Sequence, residues 1–371
     1  MVSAYSPQQV LSKTEAQALR RRLLAWYDRH GRVLPWRYRA DQKPDPYHVW
    51  LSEIMLQQTT VATVIPYFKK FTYTWPSFMA LAQADDAAVM QAWAGLGYYA
   101  RARNLLACAR AVAASPSGTL PDNQAELLKL PGIGPYTAAA ICAIAFHQPA
   151  QPVDGNIERV ISRLRAIATP LPALKDEIRT QLVDLITSHR ASDMVQGLMD
   201  LGATICTPKA PKCALCPWQE ACQGYAQGRV DRLPVKRQKA EKANRHGTVF
   251  WLIDPQGRIL VYQRPKSGLL GGMIAFPSQD WDAPSHWQPP PRATLALEPL
   301  TKSVGHVFTH FNLRLTIQWA RISARDQKKI TLSLSDAQWV DRASLTGLAL
   351  PTLMQKVYAV VSSELYDKGL V

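Results

Sequence analysis

Apolar residues recur at helical spacing through most of the first 222 residues. Ser12-Lys13-Thr14-Glu15 is a capping-box pattern, and it predicts a helix that ends at Gly31. Further helices are predicted at Tyr47–Gln58, Val61–Phe71, Asp85–Ala94, Tyr98–Ala114, Asn156–Ala168, Leu174–Ser188 and Ser192–Ile205. Because Pro or Gly separates most of these segments, the first part of the chain is predicted to be all α.

The pattern changes after residue 222. Residues 223–246 are polar and rich in Lys and Arg, so we interpret them as a basic linker. Two β-rich runs, Thr248–Ile253 and Arg258–Gln263, are joined by Asp254-Pro255-Gln256-Gly257, which is a hairpin signal. A further strand is predicted at Leu313–Ile322 and a final helix near Leu353–Tyr366. The sequence therefore predicts a helical domain over 1–222 and a smaller α+β domain over 247–371.

A glycine-rich turn, Leu130-Pro131-Gly132-Ile133-Gly134-Pro135, separates two segments with helical spacing. We therefore predict a helix-hairpin-helix over residues 123–147. Gly132 and Gly134 allow a close backbone approach, and the free N–H groups at the start of the second helix suit a phosphate. Taken alone, the same pattern also fits an ordinary interhelical turn.

The formal net charge of +15 indicates a polyanionic partner, because Lys and Arg are spread through the chain and not confined to one tail. Nucleic acid is the leading candidate. An anionic membrane surface is the alternative, but no apolar run approaches the roughly 18 residues of a membrane span. The N-terminal segment lacks the apolar core and cleavage site of a secretory signal, so we expect a cytoplasmic protein.

Four of the six cysteines lie close together, as Cys206-x6-Cys213-x2-Cys216-x5-Cys222. Thiolates at this density bind metal, and disulfides are rare in a cytosolic setting. Both zinc and an iron–sulfur cluster use cysteine ligands. Zinc ribbons usually pair two Cys-x2-Cys knuckles across a longer gap, so the spacing favours one [4Fe-4S] cluster.

Five short blocks and the four-cysteine loop follow one another in a specific order along the chain. The blocks are Leu51-Ser52-Glu53-Ile54-Met55-Leu56-Gln57-Gln58-Thr59, Gly95-Leu96-Gly97-Tyr98-Tyr99-Ala100-Arg101, Leu130-Pro131-Gly132-Ile133-Gly134, Val153-Asp154-Gly155-Asn156 and Met199-Asp200-Leu201-Gly202. With them the chain resembles the helix-hairpin-helix superfamily of base-excision DNA glycosylases, and within it the adenine DNA glycosylases of the MutY type. The resemblance implies an all-α helix-hairpin-helix glycosylase domain with an iron–sulfur cluster loop at 206–222, joined by the linker to a smaller α+β Nudix-like domain.

The resemblance also implies an activity, the hydrolytic excision of adenine mispaired with 8-oxoguanine or guanine in base-excision repair. The related endonuclease III branch carries a lysine nucleophile where this chain has Tyr136, and it lacks the acid that stands here as Glu53. These differences favour a monofunctional glycosylase. The alternatives are a bifunctional glycosylase/lyase, in which Lys129 substitutes for that lysine, and a non-catalytic DNA-binding protein with a cluster. The expected partner is double-stranded DNA containing A:8-oxoguanine or A:G, bound by a monomer.

Two carboxylates are the candidate catalytic groups, because the reaction needs a proton donor for the departing base and an anion for the sugar cation. Burial of Glu53 among apolar helical residues would raise its pKa and keep it protonated at neutral pH, although an isolated Glu also fits a solvated helix face. Asp154 precedes a predicted helix whose N–H groups would keep it ionised, a position that also suits an N-cap. By resemblance, Tyr136 and Asn156 line the reacting sugar, although Tyr136 also fits a packed aromatic.

A base inside a duplex must leave the stack before a side chain can reach it. By resemblance, Leu56, Gln58 and Tyr98 wedge into the duplex or lie beside the lesion, and Thr59 contacts the opposite base. The residues that the resemblance places around the flipped adenine are Arg32, Trp36, Arg37 and Gln196. Packing or a surface hydrogen bond would account for each of these side chains equally well.

The segment Gly268-Leu269-Leu270-Gly271-Gly272, followed by Ala275-Phe276-Pro277, resembles the Nudix-like domain of this family. No acidic Nudix box is visible, so a recognition role fits better than nucleotide pyrophosphate hydrolysis. The family's Phe-Ser-His loop appears here as Phe308-Thr309-His310, which keeps a hydroxyl and is the expected site of 8-oxoguanine recognition. Leu270 stands where the family has Trp, which removes an aromatic contact.

Overall fold

The computed structural model describes residues 10–38, 42–235, 241–265, 268–281, 287, 295–334, 336–348, 350–367 and 369. The chain divides into two compact units. One consists of Met1–Ala84 and Asn104–Lys239, and the other of Asp85–Arg103 and Ala240–Val371. No helix among the described residues is both long enough and apolar enough to cross a membrane.

The helices that precede the sheet follow the predicted order, but the two that were predicted to end at Ala168 and Ser188 end earlier, at Leu164 and Leu182. They are α1 (Lys13–His30), α2 (Pro46–Leu56), α3 (Val61–Thr74), α4 (Phe78–Ala82), α5 (Asp86–Trp93), α6 (Ala100–Ala113), α7 (Gln124–Leu127), α8 (Pro135–Phe146), α9 (Gly155–Leu164), α10 (Leu174–Leu182), α11 (Ala191–Thr204) and α12 (Gln223–Ala226). The capping box is confirmed at the start of α1, where the Ser12 side chain accepts from the backbone N–H of Glu15 and the Glu15 carboxylate accepts from that of Ser12. Helix α4 was not predicted, because five residues carry too little periodicity.

Helix α8 is buried along most of its length, from Thr137 to Ala145, as expected for a helix that is apolar on every side. It packs against α2 and α11, and α11 also packs against α1 and α9. This packing brings together the end of α2, the beginnings of α8 and α9, and the middle of α11. The hairpin before α8 is present, but its first helix, α7, is shorter than the predicted segment.

The segment that we interpreted as a linker begins as part of the helical unit. Helix α12 packs against α9, and a Cβ on Gly224 would lie only 2.5 Å from the Arg163 carbonyl oxygen. Leu233 is buried, and its carbonyl accepts a hydrogen bond from Arg163 Nε at 3.0 Å. The first strand already begins at Ala243. The polar composition suggested a linker. It does not reveal the few contacts, made by Gly224 and Leu233, that hold the beginning of this segment against α9.

The second unit contains a mixed sheet. Its described strands are β1 (Ala243–Ile253), β2 (Ile259–Gln263), β3 (Ile274–Ala275), β4 (Ser278–Gln279), β5 (Glu298–Pro299), β6 (Val304–Val307), β7 (Phe311–Arg321) and β8 (Ala337–Val340). The main path runs β3-β2-β1-β7-β5, and β1 and β7 are parallel along their whole lengths. The predicted β1–β2 hairpin and the strand β7 are confirmed. The two-residue strands were missed because they are too short to show alternation.

Alternate residues of β1 face opposite sides of this sheet. Trp251 packs in a core with Val357 of α14 (Thr352–Val361), and Phe250 packs in a second core with Ile330 of α13 (Ala324–Leu332). Helices therefore cover both faces, which is an α+β arrangement. The predicted final helix corresponds to α14 and the π-helical turn Ser362–Tyr366 that follows it.

Candidate active site

The helical unit contains a pocket of about 750 Å³ into which most of the predicted site residues project. Its walls come from the segment after α1, from α2 and the turn that follows it, from the beginnings of α8 and α9, and from α11. The predicted residues that line it are Glu53, Tyr136, Asp154, Asn156, Arg32, Trp36, Arg37, Gln196, Leu56, Gln58 and Thr59. The tertiary structure thus assembles residues that lie far apart in sequence into one concave site.

Glu53 lies on the pocket side of α2 and is only 7% exposed. The pKa of this carboxyl is raised from 4.5 to about 7, mainly by burial and also by the negative charge of Asp154. A hydrogen bond from Tyr136 and the positive charge of Arg37 act in the opposite direction. A carboxyl with this pKa is available near neutral pH both as a proton donor and, once ionised, as a base.

Asp154 is the N-cap of α9 and is half-buried at the pocket wall. Its Oδ1 accepts hydrogen bonds from the backbone N–H groups of Asn156 at 3.0 Å and Ile157 at 2.7 Å. Burial nevertheless raises the pKa of Asp154 above its ordinary value, against the effect of these hydrogen bonds. Sequence reasoning identified the capping bonds but did not anticipate that desolvation would be the larger effect.

Tyr136 and Asn156 connect the two carboxyl groups to the surrounding helices. Burial raises the pKa of Tyr136 well above its ordinary value, so its hydroxyl stays protonated as it donates to Glu53. Asn156 donates from Nδ2 to Asp154 Oδ2 at 3.0 Å, and its Oδ1 accepts from Arg159 at 2.9 Å. Each of these two residues therefore holds one catalytic candidate in place through a hydrogen bond.

The two arginines of the pocket wall share a partner that sequence reasoning missed. Asp200 of α11 is 0% exposed and accepts hydrogen bonds from both Arg32 and Arg37. The signal that could have identified it was its place in the Met199–Gly202 block. Gln196, one turn earlier on α11, donates to Ser192 Oγ at 2.9 Å.

The rim of the pocket follows the end of α2. Gln58 is exposed and adopts a left-handed backbone conformation with φ of 58°, which is uncommon for a residue other than glycine. The hydroxyl of Thr59 donates to the Gln57 carbonyl at 3.3 Å, and the Thr59 N–H donates to the Leu56 carbonyl at 3.2 Å. Gln58 and Thr59 therefore line the pocket from a turn whose backbone is strained at Gln58 and held by hydrogen bonds at Thr59.

Tyr98 belongs to the second unit and does not line this pocket. It is 53% exposed, with φ of 48°, in a turn between α5 and α6. Arg101 holds the turn by donating to the Leu96 carbonyl at 3.0 Å, and its guanidinium lies 5.6 Å from the Tyr98 ring centroid. An exposed aromatic side chain on a fixed turn is suited to contact with DNA bases.

The two hairpin glycines have different structural roles. Gly132 has φ of +78°, and a Cβ there would lie 2.8 Å from Asn104 Cβ. At Gly134, the N-cap of α8, a Cβ would have no heavy atom within 4 Å among the described residues. Open space beside the first backbone N–H groups of α8 is what a bound phosphate requires.

The four clustered cysteines lie on a loop that is tied to α9. Cys206 Sγ accepts from Arg163 Nη1 at 3.4 Å, and backbone N–H groups donate to the sulfurs of Cys216 and Cys222. Within the described residues, no three His, Cys, Asp or Glu side chains converge on a single metal-ion position. Thiolates with N–H donors fit an iron–sulfur group, in which each cysteine binds a different iron and the sulfurs need not meet at one point.

The predicted recognition loop follows β6, and its first residue is anchored. Phe308 is half-buried and stacks on Trp281, with ring centroids 6.1 Å apart, and its carbonyl accepts from Lys242 Nζ at 2.7 Å. Thr309 and His310 are exposed. The loop therefore presents a hydroxyl and an imidazole beside a fixed aromatic ring.

Comparison with known proteins matches both units. The family described as "HhH-GPD superfamily base excision DNA repair protein" matches residues 51–187, and the NUDIX domain family matches residues 248–360. The adenine DNA glycosylase of Homo sapiens is 36% identical over 94% of this chain and 75% of its own length. Those of Rattus norvegicus and of Buchnera aphidicola subsp. Schizaphis graminum are 35% and 32% identical, and the matches cover 78% and 97% of their lengths.

Among solved structures, a thermostable thymine-DNA glycosylase superposes with a TM-score of 0.51 at 28% identity. The match covers 57% of this chain and 97% of that one.

Proposed function

This chain belongs to the adenine DNA glycosylase family and removes adenine from DNA in base excision repair, and we propose that the pocket of the helical unit is where the N-glycosidic bond is hydrolysed. The observation that supports this most is the environment of Glu53. This buried carboxyl accepts a hydrogen bond from Tyr136, is influenced by the charge of Asp154, and has a pKa raised to about 7. The pocket volume of about 750 Å³ suits a flipped nucleoside, since ligand pockets usually measure about 300–1,000 Å³.

In the proposed mechanism the two carboxyl groups divide the work. Glu53 donates a proton to N7 of adenine, so that the base leaves as a neutral species when the bond to C1′ breaks. Asp154, as an anion, stabilises the positive charge that develops on the sugar. The ionised Glu53 then takes a proton from a water molecule while the oxygen of that water bonds to C1′. This step regenerates the acid and leaves an abasic site.

Hydrolysis without a Schiff-base intermediate is supported by the composition of the pocket. No lysine is among the described residues that line it, and Tyr136 cannot form a Schiff base. Lys129 is exposed and pairs with Glu126 at 2.6 Å instead of lining the pocket. Borohydride should therefore trap no covalent adduct with substrate DNA.

We propose that Cys206, Cys213, Cys216 and Cys222 hold one [4Fe-4S] cluster, which would fix the loop against α9. Support comes from the donor set and from the N–H groups directed at the sulfurs. The loop carries Lys209 and Lys212, whose positive charges would then have a fixed place against the phosphate backbone.

We further propose that the mispair is A:8-oxoguanine or A:G, and that Thr309 and His310 read the opposite base. The N7 of 8-oxoguanine carries a hydrogen where guanine has an acceptor, so a side chain that accepts a hydrogen bond at this position favours 8-oxoguanine over guanine. Support comes from the anchoring of Phe308, which leaves its two exposed neighbours in a defined position. A monomer that acts in the cytoplasm stays a prediction from the sequence.

The deciding experiment measures single-turnover excision of adenine opposite 8-oxoguanine and opposite guanine. Replacing both Thr309 and His310 by alanine, with Phe308 kept, should lower the preference for 8-oxoguanine by roughly 5- to 150-fold, as expected for a lost hydrogen bond of about 1–3 kcal/mol. Thr346→Ala, an exposed threonine elsewhere in the same unit, is the control. Equal losses on both duplexes would show that the loop supports only general DNA binding.

Glu53→Gln tests the catalytic role separately. The amide can neither protonate adenine nor activate water, so excision should fall by at least about 10²–10⁴ while substrate binding persists. Substantial single-turnover activity in this variant would refute the assignment of Glu53.

A further inference from the structure

Asp200 is a buried carboxylate whose two oxygens are both occupied by arginines of the pocket wall. Oδ1 accepts from Arg32 Nε at 2.7 Å and from Arg37 Nη2 at 2.8 Å. Oδ2 accepts from the Arg32 backbone N–H at 2.8 Å and from Arg37 Nη1 at 2.6 Å. Four hydrogen bonds, three of them from charged groups, therefore fix the positions of both guanidinium groups.

Arg37 connects this cluster to Glu53. Its side chain is 8% exposed, and its positive charge lowers the pKa of Glu53. The other groups that act on Glu53 are Tyr136 from α8 and Asp154 from the start of α9. Because Asp200 lies directly on the guanidinium of Arg37, its negative charge cancels much of the field that Arg37 would otherwise exert on Glu53.

We propose that Asp200 is a positioning residue for base excision. It holds Arg32 and Arg37 in the wall of the base pocket and offsets their charge, so that Glu53 remains a proton donor at neutral pH. Asp200 lies behind the pocket wall and acts through the two arginines, not by touching the reacting atoms. This inference rests on the proposed role of Glu53 as the general acid.

The variant Asp200→Asn keeps the side-chain shape and removes the charge. With Arg37 no longer neutralised, the pKa of Glu53 falls. In the pH–rate profile of single-turnover excision, the decline at high pH, called here the high-pH limb, should therefore move to lower pH by about one unit. At a pH one unit above the midpoint of the wild-type high-pH limb, Asp200→Asn should therefore be roughly tenfold slower than the wild type. The matched control is Asp193→Asn, since Asp193 is also buried on α11 and pairs with Arg190 at 2.7 Å, outside the pocket. Its limb should not move.

Arg37→Gln provides an independent test if Asp200→Asn does not fold. Loss of the positive charge should move the limb to higher pH, and the double variant Asp200→Asn/Arg37→Gln should return it toward the wild-type position. An unmoved limb in Arg37→Gln, or in a folded Asp200→Asn, would overturn the proposal, as would shifts of both single variants in the same direction. Failure of the Glu53 assignment itself is recognised separately, by excision activity in Glu53→Gln.

Discussion

Replacing Gly202 by alanine should damage catalysis from behind the active site. A Cβ at this position of α11 would lie 2.6 Å from Asn156 Cβ and 3.0 Å from Asn156 Cα. Carbon atoms in good contact are about 3.5–4.0 Å apart, so the start of α9 would have to move by about 1 Å. Rotation of a side chain cannot relieve the clash, because it involves the backbone and the first side-chain atom of Asn156.

The displacement would reach the catalytic carboxylate directly. Asn156 holds Asp154 through its backbone N–H and through Nδ2, each at 3.0 Å. A misplacement of about 1 Å can lower a catalysed rate about 100-fold. Overpacking typically costs about 1–3 kcal/mol of folding stability, of which about 1 kcal/mol is offset by replacing a helical glycine with alanine. The rate should therefore fall about 100-fold, while the net loss of folding stability should stay at about 0–2 kcal/mol.

Single-turnover excision and thermal unfolding of the same preparations would measure the two effects. Gly197→Ala is the control, because it lies on the same helix and its Cβ would meet Leu23 and Tyr27 at 3.4 Å, a tight but tolerable distance. If Gly202→Ala matched Gly197→Ala in both rate and stability, the reasoning from close packing would be refuted.

Three further predictions follow from individual residues. Burial raises the pKa of Glu53 from 4.5 to about 7, so the folded state binds this proton more tightly and native stability falls as pH rises through that window. Urea unfolding should then show Glu53→Gln more stable than wild type at pH 8, by at most about 3 kcal/mol, and an equal difference at pH 5 would contradict this. Gly134→Ala should fold normally, since its Cβ meets open space. It should bind duplex DNA roughly 10- to 100-fold more weakly in fluorescence anisotropy, because a phosphate contact is lost. Unchanged affinity would argue against a phosphate at the hairpin. Changing Cys213 or Cys216 to serine should abolish the visible absorbance and iron content of the purified protein, whereas a colourless wild type containing zinc would exclude the cluster.

The sequence by itself determined the features whose signals are local. The capping box at Ser12 and the hairpin between β1 and β2 need only neighbouring residues, and the structure confirms both. The ordered blocks around Glu53 and Asp154 identified the family, the two-domain fold class and adenine excision, and comparison with known proteins confirms these predictions. Short motifs can do this because each one encodes a backbone turn or a chemical group at a definite spacing.

Only the tertiary structure decided the electrostatics of the site. Arg32 and Arg37 are 168 and 163 residues from Asp200 in sequence, so no periodicity could reveal their shared hydrogen bonds. The pKa of Glu53 depends on how deeply the packing of α2 against its neighbours buries this carboxyl. The raised pKa of Asp154 depends on desolvation that outweighs its capping hydrogen bonds. Both are properties of distances between elements, which packing sets and which local sequence does not encode.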